Sequence, residues 1–101
     1  MVSFNDNIPH IHPTKLLEKM KDESVNVIDI REPYELEQLP FAGARNIPMN
    51  ILIMFYTEFL KEGQTYYIIC HHGQRSYQVT EFLQKRGYDV VNVIGGIDLV
   101  N

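Results

Sequence analysis

The chain has 101 residues, enough for one domain with a buried apolar core. Its net charge is −4, from 9 basic and 13 acidic residues, which argues against nucleic acid as the main partner. No apolar run approaches the ~20 residues of a membrane helix, and residues 1–10 lack the features of a signal peptide. A single cysteine, Cys70, excludes an internal disulfide and fits a reducing compartment. We therefore expect a cytoplasmic protein with no membrane partner.

Strand and helix signals alternate along the first half of the chain. The pattern predicts a short strand over 8–12 and a helix that opens at Pro13, since proline suits a first helical turn. A β-branched run over 25–30 predicts a buried strand. A short helix over 32–38 and a short strand over 45–47 follow.

The second half continues the alternation. We predict a helix over 50–60 with Asn50 as its N-cap, a strand over 66–69, a helix over 76–86 and a strand over 90–93. A short tail begins at residue 95. The apolar residues assigned to the buried face of the helix over 50–60 are Ile51, Met54, Phe55 and Phe59.

Alternating strands and helices imply a mostly parallel sheet with helices on both faces. The absence of repeats and linkers predicts one domain over residues 1–101. In open sheets of this kind, ligands bind beyond the carboxyl ends of the strands. Cys70 lies at such an end, directly after the strand over 66–69.

A polar loop joins that strand to the next helix, and it carries the candidate chemistry. Gly73 allows a tight reversal, after which consecutive N–H groups and the helix N-terminus can bind an anion. Arg75 adds a permanent charge. Such a cradle favours the thiolate, so we predict Cys70 as a nucleophile. The residues that we expect to line the cradle are His71, His72, Gly73, Gln74, Arg75 and Ser76.

Plainer interpretations of these residues exist. A lone cysteine often serves as a small buried hydrophobe, although the polar stretch after Cys70 would make a poor core. His71 and His72 are also explained as exposed loop residues that add charge at the pocket mouth. Adjacent residues chelate one ion poorly and no second ligand pair has finger-like spacing, so we predict no metal site.

The motifs around this loop resemble those of the rhodanese family, specifically its single-domain sulfurtransferases. Residues 29–33, Asp-Ile-Arg-Glu-Pro, resemble the family's Asp-Val-Arg-Glu-Pro signature. Residues 43–48, Gly-Ala-Arg-Asn-Ile-Pro, resemble its Gly-Ala-x-Asn-Ile-Pro segment. Gly-Tyr at 87–88 and Val-Ile-Gly-Gly-Ile at 93–97 resemble its closing segments. The resemblance covers nearly the whole chain.

The resemblance implies a five-stranded parallel sheet and a two-step sulfur transfer. Cys70 would take a sulfane sulfur from thiosulfate or a persulfide donor and become a persulfide, and a thiol or cyanide would then remove that sulfur. The loop N–H groups would stabilise the sulfur anion, and Arg75 would bind the anionic donor. The implied partners are a small anionic sulfur donor, a thiol acceptor and, as a further option, a sulfur-relay protein. No metal or organic cofactor is implied.

Two further residues receive supporting roles from the resemblance, and two segments depart from it. Asp29 and Arg31 match positions near the active-site floor, where they would brace the loop by ion pairing. Residues 39–42 read Leu-Pro-Phe-Ala where the family often has Gly-His-Ile-Pro, and Val100 replaces a familiar tryptophan. These departures bear on the substrate more than on the fold.

Two other functions fit the same family resemblance. Dual-specificity phosphatases of the cell-division type share this fold, but they place five residues between cysteine and arginine, and this loop places only the four residues 71–74 there. A shorter loop suits a single terminal sulfur atom rather than a phosphate. Rhodanese-like domains also serve as interaction or persulfide-carrier modules, usually without the cysteine. Retention of Cys70, Gly73 and Arg75 favours the enzyme.

Overall fold

A computed structural model describes residues 8–100 of the chain. Five strands and four α-helices alternate, and a short 3₁₀ helix follows the last strand. In chain order the elements are β1 (His10–Ile11), α1 (Pro13–Asp22), β2 (Asn26–Asp29), α2 (Pro33–Gln38), β3 (Arg45–Asn46), α3 (Met49–Phe59), β4 (Thr65–Ile69), α4 (Gln74–Gln84), β5 (Asp89–Val93) and the 3₁₀ helix (Gly96–Leu99).

The five strands form one sheet in the order β1-β5-β4-β2-β3, and every neighbouring pair is parallel. This confirms the predicted parallel five-stranded sheet. β4 lies at the centre, so its carboxyl end, where Cys70 follows, opens onto the middle of the sheet edge. The position matches the edge at which open parallel sheets bind ligands.

Helices cover both faces of the sheet, as predicted. On one face, Leu52 of α3 and Val79 and Leu83 of α4 pack against buried side chains of the central strands. On the other face, Leu16 of α1 and Ile97 of the 3₁₀ helix complete a second, smaller apolar cluster. The two clusters bury strand residues on alternate sides, which explains the continuous β-branched runs of a doubly covered parallel sheet.

The predicted start and buried face of α3 were wrong. Pro48, not Asn50, is the N-cap, and its carbonyl accepts the N–H of Leu52. Leu52 is fully buried, and Phe59 of the predicted set is partly buried against the larger apolar cluster. Ile51, Met54 and Phe55 are exposed by 41%, 70% and 43%, so apolar character does not mark the inner face of this helix.

The segments around the loop also differ from the prediction. α4 begins at Gln74, two residues before the predicted start, because Gly73 with a φ of 96° serves as its N-cap. The residues predicted as a tail instead form the 3₁₀ helix, which packs back on the loop through its backbone. Within the described part of the chain, no helix is long and apolar enough to cross a membrane.

Candidate active site

The Cys70 sulfur lies inside the curve of the loop over 70–76. Its side chain is 1% exposed. The backbone N–H groups of Gly73 and Ser76 donate to Sγ at 3.1 and 3.3 Å, and Ser76 Oγ lies 3.4 Å away. Donors that converge on one sulfur stabilise its anionic form more than its neutral form. Among the predicted cradle residues, Gly73 and Ser76 therefore supply the N–H groups that reach the sulfur.

The loop keeps this shape because backbone N–H groups of the 3₁₀ helix donate hydrogen bonds to the loop carbonyls that point away from the sulfur. The Cys70 and His71 carbonyls accept hydrogen bonds from Ile97 N at 2.9 Å and Asp98 N at 3.1 Å. A Cβ on Gly96 would lie 2.2 Å from the Cys70 carbonyl oxygen, so only glycine permits this approach. With the carbonyls facing outward, the N–H groups are free to face the sulfur. The Gly-Gly pair at 95–96 was the sequence signal for this support.

Arg75 is held by a partner that the sequence prediction missed. Its Nη1 and Nη2 donate to Oε1 and Oε2 of Glu35, both at 2.8 Å. Glu35 Oε1 also accepts the backbone N–H of Glu32 at 2.9 Å, which fixes the carboxylate at the start of α2. A bidentate pair of this kind sets the orientation of the guanidinium as well as its position. Glu35 is thus a positioning residue for Arg75.

This pair predicts a loss of stability in acid. The hydrogen bonds from Arg75 hold the pKa of Glu35 at about 2, below its ordinary value of 4.5. A lowered carboxyl pKa adds stability above the unfolded value of 4.5, and this stability is lost as pH falls toward 2. We expect Glu35→Gln to unfold at a lower urea concentration than wild type at neutral pH. The difference between the two urea midpoints should narrow as the pH falls from 4.5 toward 2. Glu37→Gln, on the exposed side of α2, is the matched control and should behave as wild type.

Asp29 and Arg31 form a buried pair on the neighbouring strand. Arg31 has no exposed surface, and its Nε and Nη2 donate to the Asp29 carboxylate at 3.0 and 2.8 Å. Its Nη1 donates to the Leu39 carbonyl at 2.8 Å. Asn46 Nδ2 donates to the backbone carbonyls of Asp29 and Arg31. These contacts tie the end of β2 to β3 and to the segment after α2, and none of them reaches the loop over 70–76.

His71 and His72 meet a third polar residue at the outer side of the loop. Their rings stack with centroids 4.0 Å apart. His71 Nε2 lies 3.2 Å from Asp98 Oδ1, and His72 Nδ1 contacts Asp98 Oδ2. The hydrogen bond from His72 lowers the pKa of Asp98. Ligand atoms of the three residues lie within 4.8 Å of one another, and both imidazoles pair with the carboxylate. Gln74, the remaining cradle residue, is exposed at the first position of α4.

Comparison with known proteins decides the family. The sequence model of the family described as "Rhodanese-like domain" matches residues 12–101 of this chain. The chain belongs to the rhodanese-like domain family. This rhodanese-like domain also has close structural neighbours: the crystal structure of SSP1007 from Staphylococcus saprophyticus superimposes with a TM-score of 0.84 at 39% identity, over 93% of this chain and 94% of that one.

Relatives of this rhodanese-like domain are named for sulfur chemistry. A protein of Allochromatium vinosum named "Sulfurtransferase" is 34% identical over 92 residues, which cover 89% of this chain and 85% of that protein. YrkF of Bacillus subtilis, which has a provisional name as a sulfur carrier protein, is 36% identical over 93 residues. That match covers 90% of this chain but only 50% of YrkF, so the chain spans half the length of that relative. At the level of the family, the comparisons support sulfur transfer.

Proposed function

We propose that this rhodanese-like domain is a sulfurtransferase that carries a sulfane sulfur as a persulfide on Cys70. The observation that carries the proposal is the convergence of Gly73 N–H, Ser76 N–H and Ser76 Oγ on the buried Sγ. A buried sulfur that accepts fixed N–H donors is suited to hold negative charge in each state of the reaction. The names of the relatives support the same class of chemistry.

In the first step, the Cys70 thiolate attacks the sulfane sulfur of a donor such as thiosulfate. The new Cys70 S–S bond forms as the donor's S–S bond breaks, and sulfite leaves with the bonding electron pair. In the second step, an acceptor thiolate or cyanide attacks the terminal sulfur, and the Cys70 thiolate leaves. Each step is a displacement at sulfur, so the cycle needs no metal or redox cofactor.

Arg75 is the residue proposed to meet the anionic donor or leaving group. Glu35 accepts one N–H from each terminal nitrogen of Arg75, and a guanidinium has five N–H donors in total. The remaining donors are available to an anion at the loop mouth. The half-buried Arg75 side chain is 34% exposed, so such an anion can reach it from solvent.

The proposal is tested by intact-mass spectrometry after incubation with thiosulfate. We expect one added sulfur atom on the wild-type chain, its removal by a small thiol or cyanide, and no added sulfur on Cys70→Ser. Because Cys70 is the only cysteine, the added mass needs no further site assignment. An added sulfur that only a partner protein removes would favour a persulfide carrier. An unmodified protein with thiosulfate and with small persulfide donors would refute the proposal in favour of a binding module.

A further inference from the structure

A row of polar side chains connects the Cys70 sulfur with the edge strand β1. Ser76 Oγ lies 3.4 Å from Sγ and donates to Asn92 Oδ1 at 2.5 Å, and Asn92 Nδ2 lies 3.2 Å from His10 Nδ1. Ser76 is fully buried and Asn92 is 3% exposed. His10, at the far end, is exposed and stacks on Tyr77. The row therefore leads from a buried nucleophile to a titratable group in contact with solvent.

The fold brings these residues together from three separate segments. β1 and β5 are parallel neighbours with His10 paired to Asn92, so both side chains lie on the same face. α4 covers that face, and its first turn places Ser76 between Asn92 and the Cys70 sulfur. Spacing in the sequence does not reveal this row, because 82 residues separate His10 from Asn92.

Each hydrogen bond in the row determines which atom donates in the neighbouring hydrogen bond. The Ser76 hydroxyl has one proton and gives it to Asn92 Oδ1, so its oxygen faces the sulfur as an acceptor from the Cys70 S–H. Asn92 Nδ2 can then donate to His10 only if Nδ1 has a free lone pair. This arrangement suits a neutral His10 and a protonated thiol.

A proton on His10 Nδ1 reverses the direction of the hydrogen bonds in the row. Asn92 then has to turn its amide and present Oδ1 to His10, which places Nδ2–H on Ser76 Oγ. The hydroxyl proton of Ser76 is released to point at Sγ and donate to the thiolate. The two arrangements differ by one proton that sulfur loses to water and one that Nδ1 gains from water, with no change in total charge or in oxidation state.

We propose that Asn92 is a positioning residue that passes the hydrogen-bonding state of His10 to Ser76, so that protonation of His10 turns the Ser76 hydroxyl toward the Cys70 sulfur. The thiolate, or the persulfide that the proposed function places there, then gains a third hydrogen-bond donor beside Gly73 N–H and Ser76 N–H. His10 thereby raises the nucleophile's anionic fraction without contact with the substrate.

Other titratable groups face the two ends of the row and have to be separated from it. Around Cys70 these are Arg75 of α4 with its partner Glu35 of α2, and the cluster of His71, His72 and Asp98. At the other end of the row, Tyr77 stacks on the His10 ring. Glu35 stays ionised and Arg75 stays charged near neutral pH, because each holds the other's charged form. The loop histidines are imidazoles as well, so their contribution has to be separated from that of His10.

The test measures the alkylation rate of Cys70 with iodoacetamide at roughly pH 5.5 and pH 8.5, on either side of the range in which histidines titrate. In wild type, protonated His10 supports the thiolate at the lower pH. We expect the ratio of the low-pH rate to the high-pH rate to fall about twofold or more in His10→Phe, which keeps a ring on Tyr77, and in Asn92→Leu. His12→Phe, an exposed histidine outside the row, is the matched control and keeps the wild-type ratio. Urea unfolding verifies that each variant is folded.

The ratio of the low-pH rate to the high-pH rate should also fall when His10→Phe is combined with His72→Gln. This combination separates the effect of His10 from that of the loop histidines. Alkylation needs no sulfur donor, so the result is independent of whether Cys70 transfers sulfur. An unchanged ratio in folded His10→Phe, an equal fall in His12→Phe, or the wild-type ratio in folded Asn92→Leu would each overturn the proposal.

Discussion

Cys70→Ser is expected to lose sulfur transfer from thiosulfate to cyanide on the order of 10⁴-fold or more, the scale seen when a covalent nucleophile is removed. The hydroxyl is close in size to the thiol and can accept the same N–H groups of Gly73 and Ser76. A serine hydroxyl is not ionised near neutral pH, however, and it cannot form a persulfide. Thiocyanate formation in steady state is the measurement.

Stability separates a chemical loss from a folding loss in that variant. Because the site accepts a group of similar shape, the urea midpoint of Cys70→Ser should stay close to that of wild type. Wild-type protein alkylated on Cys70 provides a second inactive sample with the native sequence. Residual activity above a tenth of wild type in purified Cys70→Ser would show that the transferred sulfur does not pass through this residue.

Asp29→Ala is expected to cost about 3–5 kcal/mol in the free energy of unfolding, the scale for removal of one partner from a buried ion pair. Arg31 has no exposed surface, and Asp29 accepts hydrogen bonds from its Nε and Nη2. Without the carboxylate, the guanidinium keeps only its contact with the Leu39 carbonyl and remains as an uncompensated buried charge. Urea unfolding at neutral pH measures the change.

Two controls identify the cause of that loss. Asp22→Ala, at the exposed end of α1, removes the same group from the surface and should change stability little. The double variant Asp29→Ala/Arg31→Leu removes both charges and should recover much of the loss, since no buried charge is left unpaired. A double variant as unstable as Asp29→Ala would mean that packing, not the unpaired charge, sets the cost.

The parallel sheet could be predicted from the sequence because its three central strands, β2, β4 and β5, are short segments rich in β-branched residues, separated by clear turn and helix signals. The buried face of α3 could not be predicted, because nearly all residues over 49–56 are apolar and several faces satisfy a helical period. The structure selects the face that contains Leu52, the residue that meets the core beside α4. Tertiary packing therefore decides an orientation that the local pattern leaves ambiguous.

The loop over 70–76 was predictable in position, and its surroundings were not. A lone cysteine between a strand and a helix, followed by glycine and arginine, is a local signal. The contacts that shape the loop come from a distance: Glu35 lies 40 residues before Arg75, and Asn92 lies 16 residues after Ser76. Such partners have no spacing rule, since the strand order alone determines which segments become neighbours.

No side chain of the 3₁₀ helix takes part in the proposed reaction. Its backbone N–H groups, however, are the last part of the site to be synthesised. The chain is synthesised from its N-terminus, so the loop over 70–76 is made before residues 96–99. Until Ile97 and Asp98 arrive, the carbonyls of Cys70 and His71 lack the donors that turn them outward. A chain that stops before residue 96 would therefore contain every strand of the sheet and Cys70 itself, but not the donors that hold the carbonyls of the loop away from its sulfur.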